Sequence, residues 1–149
     1  MPAGCPLCDG PGGSLVFQGP KFRVIRADEP GFPAFYRVVW SSHVAEFSEL
    51  PADDRALCMD AVIEVEQCLR EHLAPTKVNL AALGNAVPHL HWHVVARFAW
   101  DGHYPGSPWS PRVREPAPDA IARIEQKRPV LEADMAQRVA KLPGNRARP

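Results

Sequence analysis

At 149 residues the chain has the size of one domain with its own core, and its 17 basic residues balance its 17 acidic ones, so no overall field draws in nucleic acid or an anionic membrane. Charged residues (23%) and apolar residues (46%) sit at ordinary globular levels, while 17 prolines are about twice the usual share and require several rigid connections. The opening MPAGCPLCDG lacks a basic-then-apolar leader, and no apolar run approaches the ~18 residues of a membrane span, so we expect a cytoplasmic protein whose four cysteines are thiols or metal ligands.

After the Cys5-Pro6-Leu7-Cys8 turn and the DGPGG loop, the runs SLVFQG, KFRVIRA and AFYRVVW are short, rich in Val, Phe, Ile and Tyr, and bounded by Gly and Pro, which predicts three strands. From about Ala56 to Leu73, apolar residues fall at Leu57, Ala61, Val62, Val65, Cys68, Leu69 and Leu73, the steps of an amphipathic helix that LPADD would start. Cys58 and Cys68 read as packing or surface residues of that helix. KVNLAAL and HLHWHVVARF predict two further strands joined by the GNAVP loop. The Pro-rich segment 100–118 predicts a surface flap packed through Tyr104 and Trp109, with His103 as an exposed loop residue. A last helical region from near Asp119 to about Leu142 is expected to kink or restart at Pro129, followed by a mobile tail, PGNRARP. Together these give an α+β fold: an antiparallel sheet of about five strands, one long helix packed on it and a helical C-terminal extension.

The chemistry concentrates in His89, His91 and His93. On a strand, residues two apart share a face, so these rings project together at ~6.6 Å intervals while Leu90, Trp92 and Val94 turn to the core. A solvated polar face is one reading. A catalytic metal held by imidazoles is another, although a straight strand spreads three such rings over ~13 Å and leaves two ligands at most for one ion. The third is nucleophilic catalysis, because a neutral imidazole approaches a phosphate ester without the repulsion a carboxylate meets. Cys5 and Cys8 have the spacing of a zinc knuckle, but a tetrahedral site needs two more ligands.

The stretch HLHWHVV resembles the His-φ-His-φ-His-φ-φ signature (φ apolar) of the histidine triad family. The similarity extends from Cys5 to about Arg97 through CPLC, VVWSSHVAEFSEL and NLAALGNAVPHLHWHVVARF. The resemblance implies a family domain over residues 1–115 and a helical extension and tail over 116–149, within one structural unit. It implies a nucleotide hydrolase or nucleotidyl transferase acting at the α-phosphate of a nucleoside phosphoramidate or dinucleoside polyphosphate. His91 would be the nucleophile that forms a nucleotidyl-histidine intermediate. The His89 carbonyl would hold the His91 Nδ1 proton, and His93 would stabilise charge developing on the phosphate or bridging oxygen. Asn79 and Asn85 match phosphate-contacting amides, and Asp28 matches a ribose-binding carboxylate. Cys5, Cys8, His43 and His89 match the ligands of a closed structural zinc site found in some members; no catalytic metal is implied. Homodimerisation is implied as well. The alternatives that stay open are a metalloenzyme using the triad histidines as ligands, and a zinc-stabilised nucleotide-binding interaction protein with little catalysis. Three departures bear on substrate preference: Ala86 where many members have Ser or Thr, Ala96 in place of a proline, and WSS in place of a Pro-basic-basic stretch.

Overall fold

A computed structural model describes residues 4–145. The calls on the leader region and on the tail fall partly on residues 1–3 and 146–149, which lie outside the described residues. Five strands form: β1 (Ser14–Gln18), β2 (Phe22–Arg26), β3 (Phe35–Trp40), β4 (Lys77–Ala81) and β5 (His91–Arg97). They make one antiparallel sheet, as expected, in the order β1-β2-β3-β5-β4. β5 lies between β3 and β4, buried along most of its length, so the histidine strand is held by backbone pairing on both sides.

One face of the sheet carries the main core. The residues Phe22, Val24, Tyr36, Val38, Val78, Val94 and Ala96 meet Leu57, Ala61, Val62, Val65, Leu69 and Leu73 of a helix spanning Ala52–Leu73. Each fully buried side chain of this kind contributes about 1.5–3 kcal/mol before conformational entropy is subtracted. The helix, α2 (after a one-turn α1, Pro6–Asp9), begins four residues earlier than its apolar pattern. Asp53 and Asp54 form its first turn, where carboxylates complement the helix dipole. It ends at Ala74, whose left-handed φ of 47° returns its N–H to the Arg70 carbonyl.

The C-terminal region is a single helix, α3 (Pro118–Ala140), with Pro129 inside it, so of the two outcomes expected at this proline, a kink or a restart, the restart does not occur. Pro129 and Glu125, whose carbonyl the missing N–H would have met, are both exposed, so that carbonyl lies on the side of the helix open to solvent. The buried face, with Ile124, Leu131, Met135 and Val139, continues across the proline. Glu132 fixes the helix to the sheet by accepting from Arg26 Nη1 at 2.6 Å and from the Tyr36 hydroxyl at 2.8 Å. Part of the predicted tail is ordered: Pro143–Asn145 form a 3-10 turn. Among the described residues no helix is long and apolar enough to cross a membrane.

The opposite face of the sheet is covered at its two ends. Cys5 and Leu7 pack on Ile25 and Val39, while Phe32 and Ala27 pack with Phe35 and Val95. Between these two clusters lie His91 and His93.

Candidate active site and metal centre

The triad is divided by the start of β5. His91 and His93 stand on the strand, with ring centroids 4.9 Å apart. His89 precedes it, after a loop that Gly84 turns with φ +68°, a conformation that favours glycine. Its ring therefore does not continue the row expected from strand geometry and turns towards the N-terminal cysteines.

There Cys5, Cys8, His43 and His89 place their ligand atoms within 4.8 Å of one another. His89 Nδ1 is 3.4 Å from both Cys5 Sγ and Cys8 Sγ; His43 Nδ1 is 3.4 Å from Cys8 Sγ and 3.1 Å from His89 Nδ1. A tetrahedron with ordinary Zn–S and Zn–N bonds has edges of about 3.6 Å between S and N and about 3.3 Å between two N. The observed edges fit it. His89 Nε2 donates to the Trp40 carbonyl at 2.6 Å, so the neutral ring carries its proton there and aims a lone pair from Nδ1 into the cluster, the orientation a metal-bound imidazole requires. Burial, chiefly, also holds the His89 pKa below its usual value, against the upward pull of the Trp40 carbonyl.

The backbone of the same residue orients the next histidine. His91 Nδ1–H donates to the His89 carbonyl at 2.6 Å, leaving Nε2 as the free lone pair. Burial lowers the His91 pKa, opposed by this carbonyl and reinforced by the Arg37 charge. The ring is thus neutral near pH 7 and directed, which are the two properties of a nitrogen nucleophile. His93 is enclosed by Phe35, Trp109 and His91, with ring centroids at 5.6, 5.0 and 4.9 Å. Burial, followed by repulsion from a protonated His91 and from the Arg37 guanidinium, pushes its pKa down to about 3.

Other predicted residues stand in different relations to this centre. Asn79 is on β4, with Oδ1 accepting from Arg97 Nη1 at 2.6 Å; it lines an open groove of about 550 Å³ with Leu80, Lys77 and Trp109. Asn85 is exposed in the 82–90 loop. Asp28, its side chain 71% exposed, lies 3.6 Å from Arg26 Nε. It borders a 220 Å³ depression with Gly31, Phe32 and Arg128, and none of the three histidines lines that depression.

Two features escaped the sequence reading. Arg37 is the Cα partner of His93 across β3 and β5; an arginine inside the apolar run AFYRVVW was the available signal. The flap is built on Arg97, which bonds Asp101 through Nε at 2.9 Å and the Gly106 carbonyl through Nη2 at 2.8 Å. Asp101 in turn accepts from the backbone N–H groups of Phe98, His103 and Tyr104. That scaffold brings Trp109 against His93. Cys68, His72 and Asp134 form a second cluster, but one Asp134 oxygen already accepts from His72 at 2.7 Å and from Arg138 at 3.0 Å, so the group clamps α2 to α3.

A family model described as the HIT domain matches residues 12–100, more than half of the chain. Among solved structures, a histidine triad protein from Sinorhizobium meliloti is 23% identical, with TM-score 0.67, over 86% of this chain and 90% of that one. A second from Marinobacter aquaeolei is 21% identical, with TM-score 0.68, over 89% and 92%. A zinc-bound histidine triad family protein from Mycobacterium smegmatis is 24% identical, with TM-score 0.60, over 90% and 94%. Comparison with curated proteins gave no significant match. The domain match covers the strand that carries the directed His91 and its carbonyl anchor, and on that match the chain belongs to the histidine triad (HIT) family.

Proposed function

We propose that the protein is a nucleotide hydrolase or nucleotidyl transferase that cleaves at the α-phosphate of a nucleoside phosphoramidate or dinucleoside polyphosphate, with His91 as the nucleophile. The observation that carries this reading is the 2.6 Å bond from His91 Nδ1–H to the His89 carbonyl, which reserves Nε2 for phosphorus. The Nε2 lone pair forms the N–P bond as the bond from phosphorus to the leaving group breaks. The leaving group departs with that electron pair and takes up a proton. Water then cleaves the N–P bond, releasing a nucleoside monophosphate and restoring the imidazole. His93, neutral and partly enclosed by aromatic rings, acts as a hydrogen-bonding group at the phosphate and not as a cationic acid. Asn85 and Asp28 act as substrate contacts if the ligand draws their exposed loops inward, and Asn79 acts through Arg97.

Cys5, Cys8, His43 and His89 would hold a structural zinc ion, which closes the N-terminal turn onto the start of β5. The division of roles favours this over a catalytic metal on the triad, because His89 faces the cysteines and His91 is anchored by a carbonyl. We further read the chain as a cytoplasmic homodimer with residues 116–149 as an extension of the domain; the exposed Leu80 and Leu83 at the free β4 edge give a second copy an apolar surface.

The test is incubation of wild type and His91→Ala with adenosine 5′-phosphoramidate, following AMP release and quenching during turnover to look for an adenylylated His91. Release and adduct in wild type alone are expected. Equal AMP release by both proteins removes His91 from the chemistry.

A further inference from the structure

Four arginines stand on the strands, and three of them make short hydrogen bonds to carbonyls or carboxylates, although the buried Arg26 Nε itself has no hydrogen-bond partner among the described residues. Arg23 donates to the carbonyls of Leu7 at 2.8 Å, Pro11 at 3.0 Å and Gly10 at 3.1 Å. Arg26 meets Glu132 at 2.6 Å, and Arg97 meets Asn79, Asp101 and Gly106. Arg37 differs. Its nearest carboxylate oxygen, on the half-exposed Glu29, is 3.8 Å from Nη2. Its side-chain hydrogen bond is a long one, Nε to His93 Nδ1 at 3.4 Å.

This guanidinium is also poorly placed for water to compensate. The side chain is 21% exposed, and its central carbon lies 5.5 Å from the Phe35 ring centroid. A largely buried cation without a close counter-charge is destabilising unless something completes it. Its place on the sheet says what: Arg37 is directly opposite His93, and the next residue on the same face of β3, Val39, is directly opposite His91. Directly paired residues share a face, so the charge lies beside both rings.

We propose that Arg37 is a substrate-binding residue that presents its free guanidinium N–H groups to the non-bridging oxygens of the phosphoryl group attacked by His91. This rests on the nucleotidyl-transfer reading above. A planar, always-charged fork matches phosphate oxygens two at a time, and its hydrogen bonds strengthen as charge gathers on those oxygens during transfer. Arg37 also sets His93: guanidinium Nε always bears hydrogen, so His93 Nδ1 accepts and the imidazole proton sits on Nε2. His93 then reaches the phosphate as a neutral donor beside a cationic one.

The experiment combines two readouts. Arg37→Met and Arg37→Lys are compared with wild type for AMP and inorganic phosphate binding by calorimetry, and for turnover of adenosine 5′-phosphoramidate. In wild type, the Arg37 Nε–H resonance is followed by ¹⁵N NMR during phosphate addition. Arg37→Met should weaken AMP and phosphate binding at least tenfold and lower kcat by roughly 10²-fold, the usual effect of removing a donor at a developing oxyanion; Arg37→Lys should recover part of the binding. A phosphate-dependent shift of the Nε–H resonance with no turnover by wild type keeps Arg37 as the anion contact and ends the nucleotidyl-transfer reading. Wild-type affinities in a folded Arg37→Met protein overturn the assignment. Should that variant not fold, an Nε–H resonance unmoved by saturating AMP or phosphate overturns it equally.

Discussion

Replacing Asp101 by Ala tests the flap's foundation. Both members of the Arg97–Asp101 pair are 2% exposed, with Arg97 Nε 2.9 Å and Nη2 3.2 Å from the carboxylate. Removing the carboxylate leaves a buried guanidinium without its counter-charge and takes the acceptor from three backbone N–H groups. Loss of one partner from a buried, hydrogen-bonded pair costs about 3–5 kcal/mol. For a chain of this size each kcal/mol lowers Tm by roughly 2–4 °C, so the expected fall is on the order of 10 °C. Burial alone would raise the Asp101 pKa, but the Arg97 guanidinium and the three amides outweigh it and hold the carboxyl below its ordinary value. Its contribution is therefore present above the unfolded carboxylate pKa of about 4 and fades as pH falls through the lower folded value. Thermal melts at pH 7, with limited proteolysis across residues 102–113, are the assay. The double replacement Arg97→Met/Asp101→Leu should lose less than Asp101→Ala, since it leaves no unpaired charge. A fall of less than about 2 °C for Asp101→Ala, against the scale set by that size dependence, would refute the reasoning.

Metal analysis of purified protein should find one zinc ion per chain in wild type and none in Cys5→Ser/Cys8→Ser, with a lowered Tm in the variant; a metal-free wild type retires the site. His93, whose pKa is pushed down to about 3 by burial and its cationic and imidazole neighbours, makes stability fall on acidification. Between the unfolded value of about 6.5 and about 3 the unfolded chain binds a proton that the folded chain excludes, so stability rises with pH across that window. Denaturant midpoints measured over that range should slope less steeply in His93→Asn, and an unchanged slope counts against the burial argument.

The sheet and the long helix α2 were legible because their signals are local: runs of β-branched and aromatic residues on the strands, steps of three and four on α2, and Gly or Pro between them. Pro129 left a kink and a restart both open, because the local rule ignores which side of the helix faces water. The cysteine-histidine set was legible only through family resemblance, since residues 84 apart in sequence, Cys5 and His89, meet through the fold. Arg37 was hidden for a related reason. Its identity is visible in the sequence, but its lack of a close partner is a property of what surrounds it. Asn79 shows the converse: its identity suggested a phosphate-contacting amide, while in the fold its oxygen accepts from Arg97.

His89 links the proposed zinc site to the proposed nucleophile, so a change at one is expected to reach the other. Its ring is fixed at both nitrogens, Nε2 on the Trp40 carbonyl and Nδ1 among the cysteines, while its own carbonyl receives the His91 proton. A ring held at both ends restricts rotation of the residue that bears it, and so restricts the direction of that carbonyl. The carbonyl in turn decides which His91 nitrogen is free. β5 begins only at His91, but the peptide that carries the His89 carbonyl is also held by the Leu90 N–H on the Val44 carbonyl at 2.8 Å, and the His89 N–H donates to the Val87 carbonyl at 2.9 Å. The Cys5–Cys8–His43 side adds a side-chain restraint to these backbone bonds, which places the N-terminal turn, remote in sequence, among the groups that set the direction of the proposed nucleophile.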